Sequence, residues 1–427
     1  MTTAGTSLRQ SIADRREALV ELTRALVAIP TLNPPGLHYR DACELLAARL
    51  RPRGFDCRLL RAEGAPGDSD RHPRWNLVAR REGAAPGPCV HFNGHIDVVE
   101  VGQGWTVDPF GGAVIDGRLY GRGACDMKGG IAAAVIAVEA FLDHAPGFAG
   151  AIEISATADE ETGGYGGVAW LATQGAFAGV DHVIIPEPLN KDRICLGHRG
   201  VWWAEVETFG RIAHGSMPFL GDCAVRHMGA VIAEMEATLI PALAARRTAM
   251  PVVPAAARAS TININSIHGG QAELAPDFTG WPAPVVPDSC RMIVDRRFLA
   301  EEPIGAVKAE LAAVVERARA RRPFRFEIRD MHEVLPTMTE RDAPVAAALA
   351  RAVERALGRA PEFVVSPGTY DQKHIDRIGR LKNCVAYGPG ILDLAHQPDE
   401  YVGVDDMLDA AFVMGLALAD LLGVAPD

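Results

Sequence analysis

Four β-rich runs bounded by Gly, Pro or Asp alternate along this chain with runs of helical spacing, and that alternation limits the folds open to it. The β-rich runs are Trp75 to Val78, Cys89 to Asn93, Ile152 to Thr157 and His182 to Ile185. Apolar residues recur at helical spacing through Leu8 to Val27, Ala42 to Leu50, Ile131 to Leu142, Val225 to Leu239, Val307 to Val315, Val345 to Leu357 and Met407 to Leu422. The pattern predicts an α/β fold, a mixed sheet flanked by helices, with chemistry on the loops that follow strand ends.

The middle of the chain reads differently. Val201 to Thr208 alternates like a half-exposed strand; a helix, the stretch MPVVPAAARAS, the strand-like TININSI, a Pro-rich loop from Ala275 to Pro287, the strand RMIVDRRF and another helix follow. Strand, helix, strand, strand, helix, strand is the order of a ferredoxin-like α+β sandwich. Residues 197–331 are therefore expected as an inserted domain, and residues 1–196 with 332–427 as one discontinuous α/β domain. No repeat of 20 to 50 residues interrupts this plan.

Charge and length exclude several functions. A net charge of −11 opposes a polyanion, so no nucleic-acid partner is expected. No apolar run reaches the roughly 18 to 20 residues that span a bilayer, so no membrane association is expected. The N-terminal stretch alternates charged and apolar residues without the apolar run of a secretory signal, and the whole chain is expected as the mature protein. Eight scattered cysteines without a CxxC pair suit reduced thiols in a cytoplasm.

Five segments concentrate metal-competent side chains at or just after predicted strand ends: HFNGHIDVV, GRGACDMKGG, ATADEETGG, IIPEPLN and GILDLAHQPDE. Singly each has an ordinary structural explanation: His95 as a loop histidine, Asp126 as a helix N-cap, Glu160 and Glu161 as a solvated turn. Jointly they point to a metal centre. Asp97, two residues after His95, suits a carboxylate that accepts the second N–H of a ligating imidazole. Asp126 stands between Gly123 and Gly129–Gly130, which permit a tight turn where a carboxylate could bridge two cations. Two adjacent glutamates cannot easily aim at one atom, so one of them is expected as a ligand and its neighbour as a free base. Glu187 and His396 add a carboxylate and an imidazole. Two histidines with three or four carboxylates suit Zn, Mn or Co, whereas a calcium site would use no histidine.

Other motifs fail. HEVLP after Met331 lacks the second histidine of HExxH, Gly121-Arg-Gly123 runs into Asp126 where a dinucleotide fingerprint needs glycine, and no P-loop or GxSxG occurs. Cys125 has no histidine beside it in sequence and reads as a packing residue.

Taken in order, GHIDVV, GRGACDMKGG, DEETGG, PEP, AHGSMP and AHQPDEYV resemble, over nearly the whole chain, the metallo-aminoacylase superfamily of acetylornithine deacetylase, succinyl-diaminopimelate desuccinylase, aminoacylase and carboxypeptidase G. The resemblance implies two divalent metal ions, zinc first with manganese or cobalt as alternatives. His95 and Glu187 would hold one, Glu161 and His396 the other, and Asp126 would bridge them. It further implies that Asp97 orients His95, that the peptide after Asp126 is cis, and that Glu160 is the general base. In the implied reaction a water between the cations loses a proton to Glu160, and the hydroxide attacks a polarised carbon. His214 would come from the partner subunit of a homodimer to stabilise the oxyanion, making the insert a dimerisation or lid domain.

The activity so implied is hydrolysis of a C–N bond, first of all the amide of an N-acyl amino acid or related small N-acyl amine. Departures from the family bear on substrate. The Asn-x-x-Pro segment that usually precedes the DxR strand is replaced by Pro284-Val-Val-Pro287 before Asp295 and Arg297, after an insert with Phe278 and Trp281, and the GGTSD-like loop reads SPGTYD with Tyr370. Arg199, Arg297, Tyr370 and Trp202 are expected at a small-molecule substrate. Lys373 or His374 could also grip its carboxylate, a surface ion pair being the competing explanation for both. Trp202 and Trp203 face opposite sides of an alternating strand, so at most one can line a pocket. An aromatic pocket would suit a second activity, hydrolytic deamination of an aromatic amine such as an aminobenzoate. A relative that binds metal or ligand without turnover is the third alternative.

Overall fold

In the computed structural model, which describes residues 7–270, 279–281 and 283–425, the β-rich runs become the centre of one sheet. Ile152, Ile154, Ala156, Val90 and Phe92 are all buried, as residues of strands covered on both faces must be. The sheet has nine strands among the described residues. Its main path passes through Asp56–Arg61, Trp75–Glu82, Ala149–Thr157, Ala85–His95, His182–Ile185, Cys384–Ala386 and Arg193–His198. Four neighbours, Ala149–Thr157 through Cys384–Ala386, run parallel, and antiparallel strands flank them on both sides, so the sheet is mixed. His95 pairs in register with Thr157, so the loops that carry His95, Asp97, Glu160 and Glu161 leave adjacent strands at the same carboxyl edge.

One helix beside this sheet has a sequence that leaves it no wet face over most of its length. Every residue from Gly129 to Leu142 is buried, including Glu139, which takes two hydrogen bonds from Arg49 at 2.6 and 2.7 Å. This helix, Gly129–His144, packs against Val404–Leu421. A Cβ on Gly130 would lie 1.9 Å from the carbonyl oxygen of Pro186. Glycine there lets the helix start close against the segment that presents Glu187.

The described residues divide into two units, the first within Met1–Gly197, Met338–Val364 and Tyr370–Asp427, the second within His198–Thr337 and Val365–Thr369. The insert expected at 197–331 does not include the return segment Val365–Thr369. That segment joins the second unit through a bridge of Val365 with Val252. The second unit is a four-stranded antiparallel sheet in the order Thr261–Gly269, Ser289–Phe298, Gly200–Phe209, Arg325–Val334. Helices Ala224–Glu234 and Ile304–Arg321 supply Met228, Val231, Leu311 and Val314 to a core with Trp202, Val206, Met292 and Phe298.

Trp202 therefore corrects an expectation. It is only 1% exposed and its indole N–H donates to Asp330 Oδ1 at 2.8 Å, while Trp203 on the opposite face is 37% exposed. The helices cover the face that Trp202 occupies, so this side chain fills the core rather than lining a substrate pocket. Trp202→Ala is expected to destabilise the protein by about 3 to 5 kcal/mol, read as a lower urea midpoint. All eight cysteines are free; six are buried, while Cys57 in the first unit and Cys223 in the second are half-buried.

Candidate metal centre

His95 is the last residue of its strand, with its ring 2% exposed. Its Nδ1 lies 3.1 Å from the backbone oxygen of Asp97 and 3.5 Å from the Asp97 carboxylate. That carboxylate accepts the backbone N–H groups of Glu160 and Glu161, each at 3.1 Å, and the Asn33 amide at 2.8 Å. Burial raises the Asp97 carboxyl, but His95 and these donors outweigh it and hold the group below its usual range. Asp97 thus ties the loop after one strand to the loop after its neighbour.

Asp126 is placed from behind. Gly123 takes a φ of 82°, in the region that favours glycine, and the Asp126–Met127 peptide is cis. The backbone N–H groups of Cys125 and Asp126 donate to Glu400 Oε1 at 2.9 and 3.0 Å, and Arg122 donates to Glu400 Oε2 at 2.6 Å. The Glu400 and Arg122 pair is fully buried, where breaking it would leave one charge without a partner. Cys125 packs with its Sγ near the Ile391 carbonyl.

Around Asp126 the donors gather in two groups. Its Oδ1 is 3.1 Å from His95 Nε2, which is 3.9 Å from Glu187 Oε1. Its Oδ2 is 3.5 Å from His396 Nε2, which is 3.1 Å from Glu161 Oε1. Within each group, His95–Asp126–Glu187 and Asp126–Glu161–His396, one donor atom per residue lies within 4.8 Å of the others. Asp126 is common to both. The Glu160 carboxylate belongs to neither group and meets Lys373 Nζ at 2.9 Å.

The electrostatics fit a pair of cations. Burial, reinforced by Asp126, pushes the Glu187 carboxyl well above its usual range, and burial pushes Glu161 up to about 7. Asp126, despite burial, is held well below its usual range by His396 and His95. His95 is pushed up by Asp126 and Asp97 against burial, and Asp126 and Glu161 push His396 up to about 10. These are groups that compete for positive charge in little space. Divalent cations between them would supply it, releasing the protons the histidines and glutamates otherwise hold.

The residues expected at the substrate have other occupations. Arg199, 6% exposed, spends its guanidinium on backbone oxygens: Ala257 and Ala259 at 2.9 and 3.1 Å and Pro367 at 3.0 and 3.2 Å. Arg297 is clasped by Asp295 on its own strand through bonds of 2.7 and 2.8 Å. Tyr370 is buried with its hydroxyl on Gln372 Oε1 at 2.6 Å. Arg199 and Tyr370 are thus buried and engaged within their own units, whereas Arg297 is 27% exposed and Asp295 takes only its Nε and Nη2. His214 sits in the second unit, exposed, with Nδ1 2.8 Å from Ser216 Oγ. Trp281 is 94% exposed, and Phe278 lies outside the described residues.

Lys373 and His374 also differ from a surface ion pair: both are buried, and His374 Nε2 meets the Gly163 carbonyl at 2.7 Å. Sequence reasoning missed two supports, Asn33 and the Arg122–Glu400 pair, and it set Lys373 at a substrate carboxylate or in a surface ion pair rather than beside Glu160. Glu400 stood inside a singled-out segment, but a carboxylate that accepts backbone N–H groups has no sequence signature.

Residues 91–420 match peptidase family M20/M25/M40. Succinyl-diaminopimelate desuccinylase of Methylobacterium radiotolerans is 31% identical over 412 residues, covering 94% of this chain and 96% of that protein. Human carnosine dipeptidase 1 has a TM-score of 0.76 at 19% identity, with 98% of each chain covered. The YXEP protein of Bacillus subtilis, a dinuclear metal binding peptidase from the M20 family, has a TM-score of 0.66 at 16% identity, covering 96% of this chain and 99% of that one. At such identities the two structural likenesses speak for the fold alone.

Proposed function

The chain belongs to peptidase family M20/M25/M40, and from that premise we propose that it hydrolyses the amide bond of an N-acyl amino acid or related small N-acyl amine with two bound metal ions. One observation carries the reading: two donor groups share Asp126, and Glu160, next to Glu161 in the chain and near enough for its charge to raise the Glu187 carboxyl, lies outside both. His95 and Glu187 would hold one ion, Glu161 and His396 the other. Zinc suits this mixed set, and manganese or cobalt is accommodated by the same donors. When bound, the ions supply Lewis acidity and lower the pKa of water in the site toward neutrality. Glu160 then takes the proton of the attacking water and returns it to the departing nitrogen. Asp97 keeps the His95 ring in place and holds the backbone of the Glu160–Glu161 turn.

A homodimer in which His214 crosses to the partner subunit belongs to the same reading. It is supported by the exposure of Ile212, Met217, Phe219 and Leu220 around His214, at 58, 40, 77 and 54%. No helix among the described residues is long and apolar enough to cross a membrane, and eight free thiols suit a reducing cytoplasm.

The burial of Trp202 leaves Trp203, 37% exposed, as the tryptophan that an aromatic-amine pocket could use, so deamination is kept as an arm of the test. The relative's name makes N-succinyl amino acids the first compounds to try. Protein loaded with Zn, Mn or Co is screened on N-succinyl, N-acetyl and N-formyl amino acids and on aminobenzoates. Free amine from an N-acyl amino acid, absent after stripping with a chelator, is the expected result. Ammonia from an aminobenzoate would overturn the amide reading, and no product from a chain carrying two metals would overturn the enzyme reading.

A further inference from the structure

We infer that Lys373 is a positioning residue for Glu160, an inference that rests on Glu160 being the base of the proposed hydrolysis. Lys373 Nζ lies 2.9 Å from Glu160 Oε1, and the lysine side chain is 3% exposed. Removing an ammonium from water costs several kcal/mol unless it is paired, so its burial beside this carboxylate is a specific arrangement. Asp97 fixes the backbone N–H of Glu160, and among the described residues Lys373 is the group that hydrogen-bonds its carboxylate. A glutamate has three side-chain torsions to immobilise. Pinning Oε1 removes that freedom and leaves Oε2 to exchange the proton.

Lys373 is itself aimed from the centre of the sheet. It follows Asp371, whose Oδ2 accepts the Asn93 amide at 2.8 Å and the Thr157 hydroxyl at 3.2 Å. Asn93 and Thr157 lie on the paired strands that lead into His95 and into Glu160. Behind them Asn93 Oδ1 accepts the Ser155 hydroxyl at 2.7 Å, Ser155 meets His91 Nε2 at 2.7 Å, and His91 Nδ1 meets Glu153 at 2.9 Å. The strands that present a donor and the base thus also hold Asp371, the N-cap of the short helix Gln372–Arg377 that carries Lys373. Asp371 is 1% exposed, its Oδ1 has no hydrogen-bond partner, and its negative charge, with that of Glu160, favours the ammonium form of Lys373.

Lys373→Met, Lys373→Arg, Glu160→Gln and the double variant Glu160→Gln/Lys373→Met are compared as full-length, zinc-loaded protein on the N-acyl amino acid turned over fastest in the screen. K373M is expected to lower kcat about tenfold with KM within about twofold. Zinc content should stay at the wild-type value, K373R should recover most of the rate, and K373M should cost nothing further in the E160Q background. A KM rise with kcat unchanged would make Lys373 a substrate-binding group and overturn the inference. So would an equal loss in both backgrounds, or wild-type kinetics. If K373M does not fold, K373Q, which leaves a polar side chain in the same space, is judged by the same criteria. An active E160Q sinks the hydrolysis reading itself; an inactive E160Q with a fully active K373M sinks only the role of Lys373.

Discussion

Glu160→Gln is expected to lower kcat by at least about 10²-fold while the protein keeps its full complement of metal. The amide that replaces the carboxylate has nearly the same shape, so Lys373 keeps an oxygen to bond. It cannot take a proton at neutral pH. Glu160 stands in neither donor group, which is why ligand loss and base loss separate at this position. Stopped assays give the rate and elemental analysis gives the metal content of the same sample. A variant with lost metal and lost activity would make Glu160 a ligand, and one that kept its rate would remove it from the chemistry.

The second large effect is expected at Asp126. Its two oxygens face different histidines, Oδ1 toward His95 and Oδ2 toward His396, so Asp126→Ala removes one donor from each group. Loss of an outer partner of a ligand already costs about 10- to 100-fold in metal affinity or activity, and removal of a shared ligand must exceed that. D126A should bind neither ion in stoichiometric amount and show no measurable turnover, whereas His396→Ala should lose one ion and retain the other. The fold should survive, because the backbone N–H of residue 126 still has Glu400 as its acceptor. Two tightly held equivalents of metal in D126A would show that the carboxylate is not shared. Equilibrium dialysis against zinc, with circular dichroism as the folding control, decides between these outcomes.

What could be read from the sequence and what could not have physical causes. Period and punctuation locate strands: Ile152 to Thr157 and Cys89 to Asn93 lie inside Ala149–Thr157 and Ala85–His95, since buried parallel strands write continuous apolar runs. Helices such as Met407 to Leu422, found as Val404–Leu421, follow for the same reason. Residues just past strand ends were therefore legible as a group. Alternation, by contrast, says that Trp202 and Trp203 point apart without saying which face the helices cover. The guanidinium of Arg199 is spoken for by carbonyls, which every residue type carries, so nothing in the string marks its partners. Lys373 reads as a substrate grip or a surface ion pair because a buried ammonium is identified only by the carboxylate that a distant strand brings to it.

The free thiols open an experimental door. Of the two half-buried cysteines, one lies in each unit, so an unmutated chain already offers a pair of attachment points for fluorescent dyes. Burial pushes the Cys57 thiol up, which makes it slow to alkylate near neutrality and quicker in alkali. A donor and an acceptor fluorophore can be attached to this pair, with alkaline conditions used to bring Cys57 to reaction. Energy transfer between them would then report, in real time and without engineered substitutions, whether the distance between the two halves changes as zinc or a ligand is added.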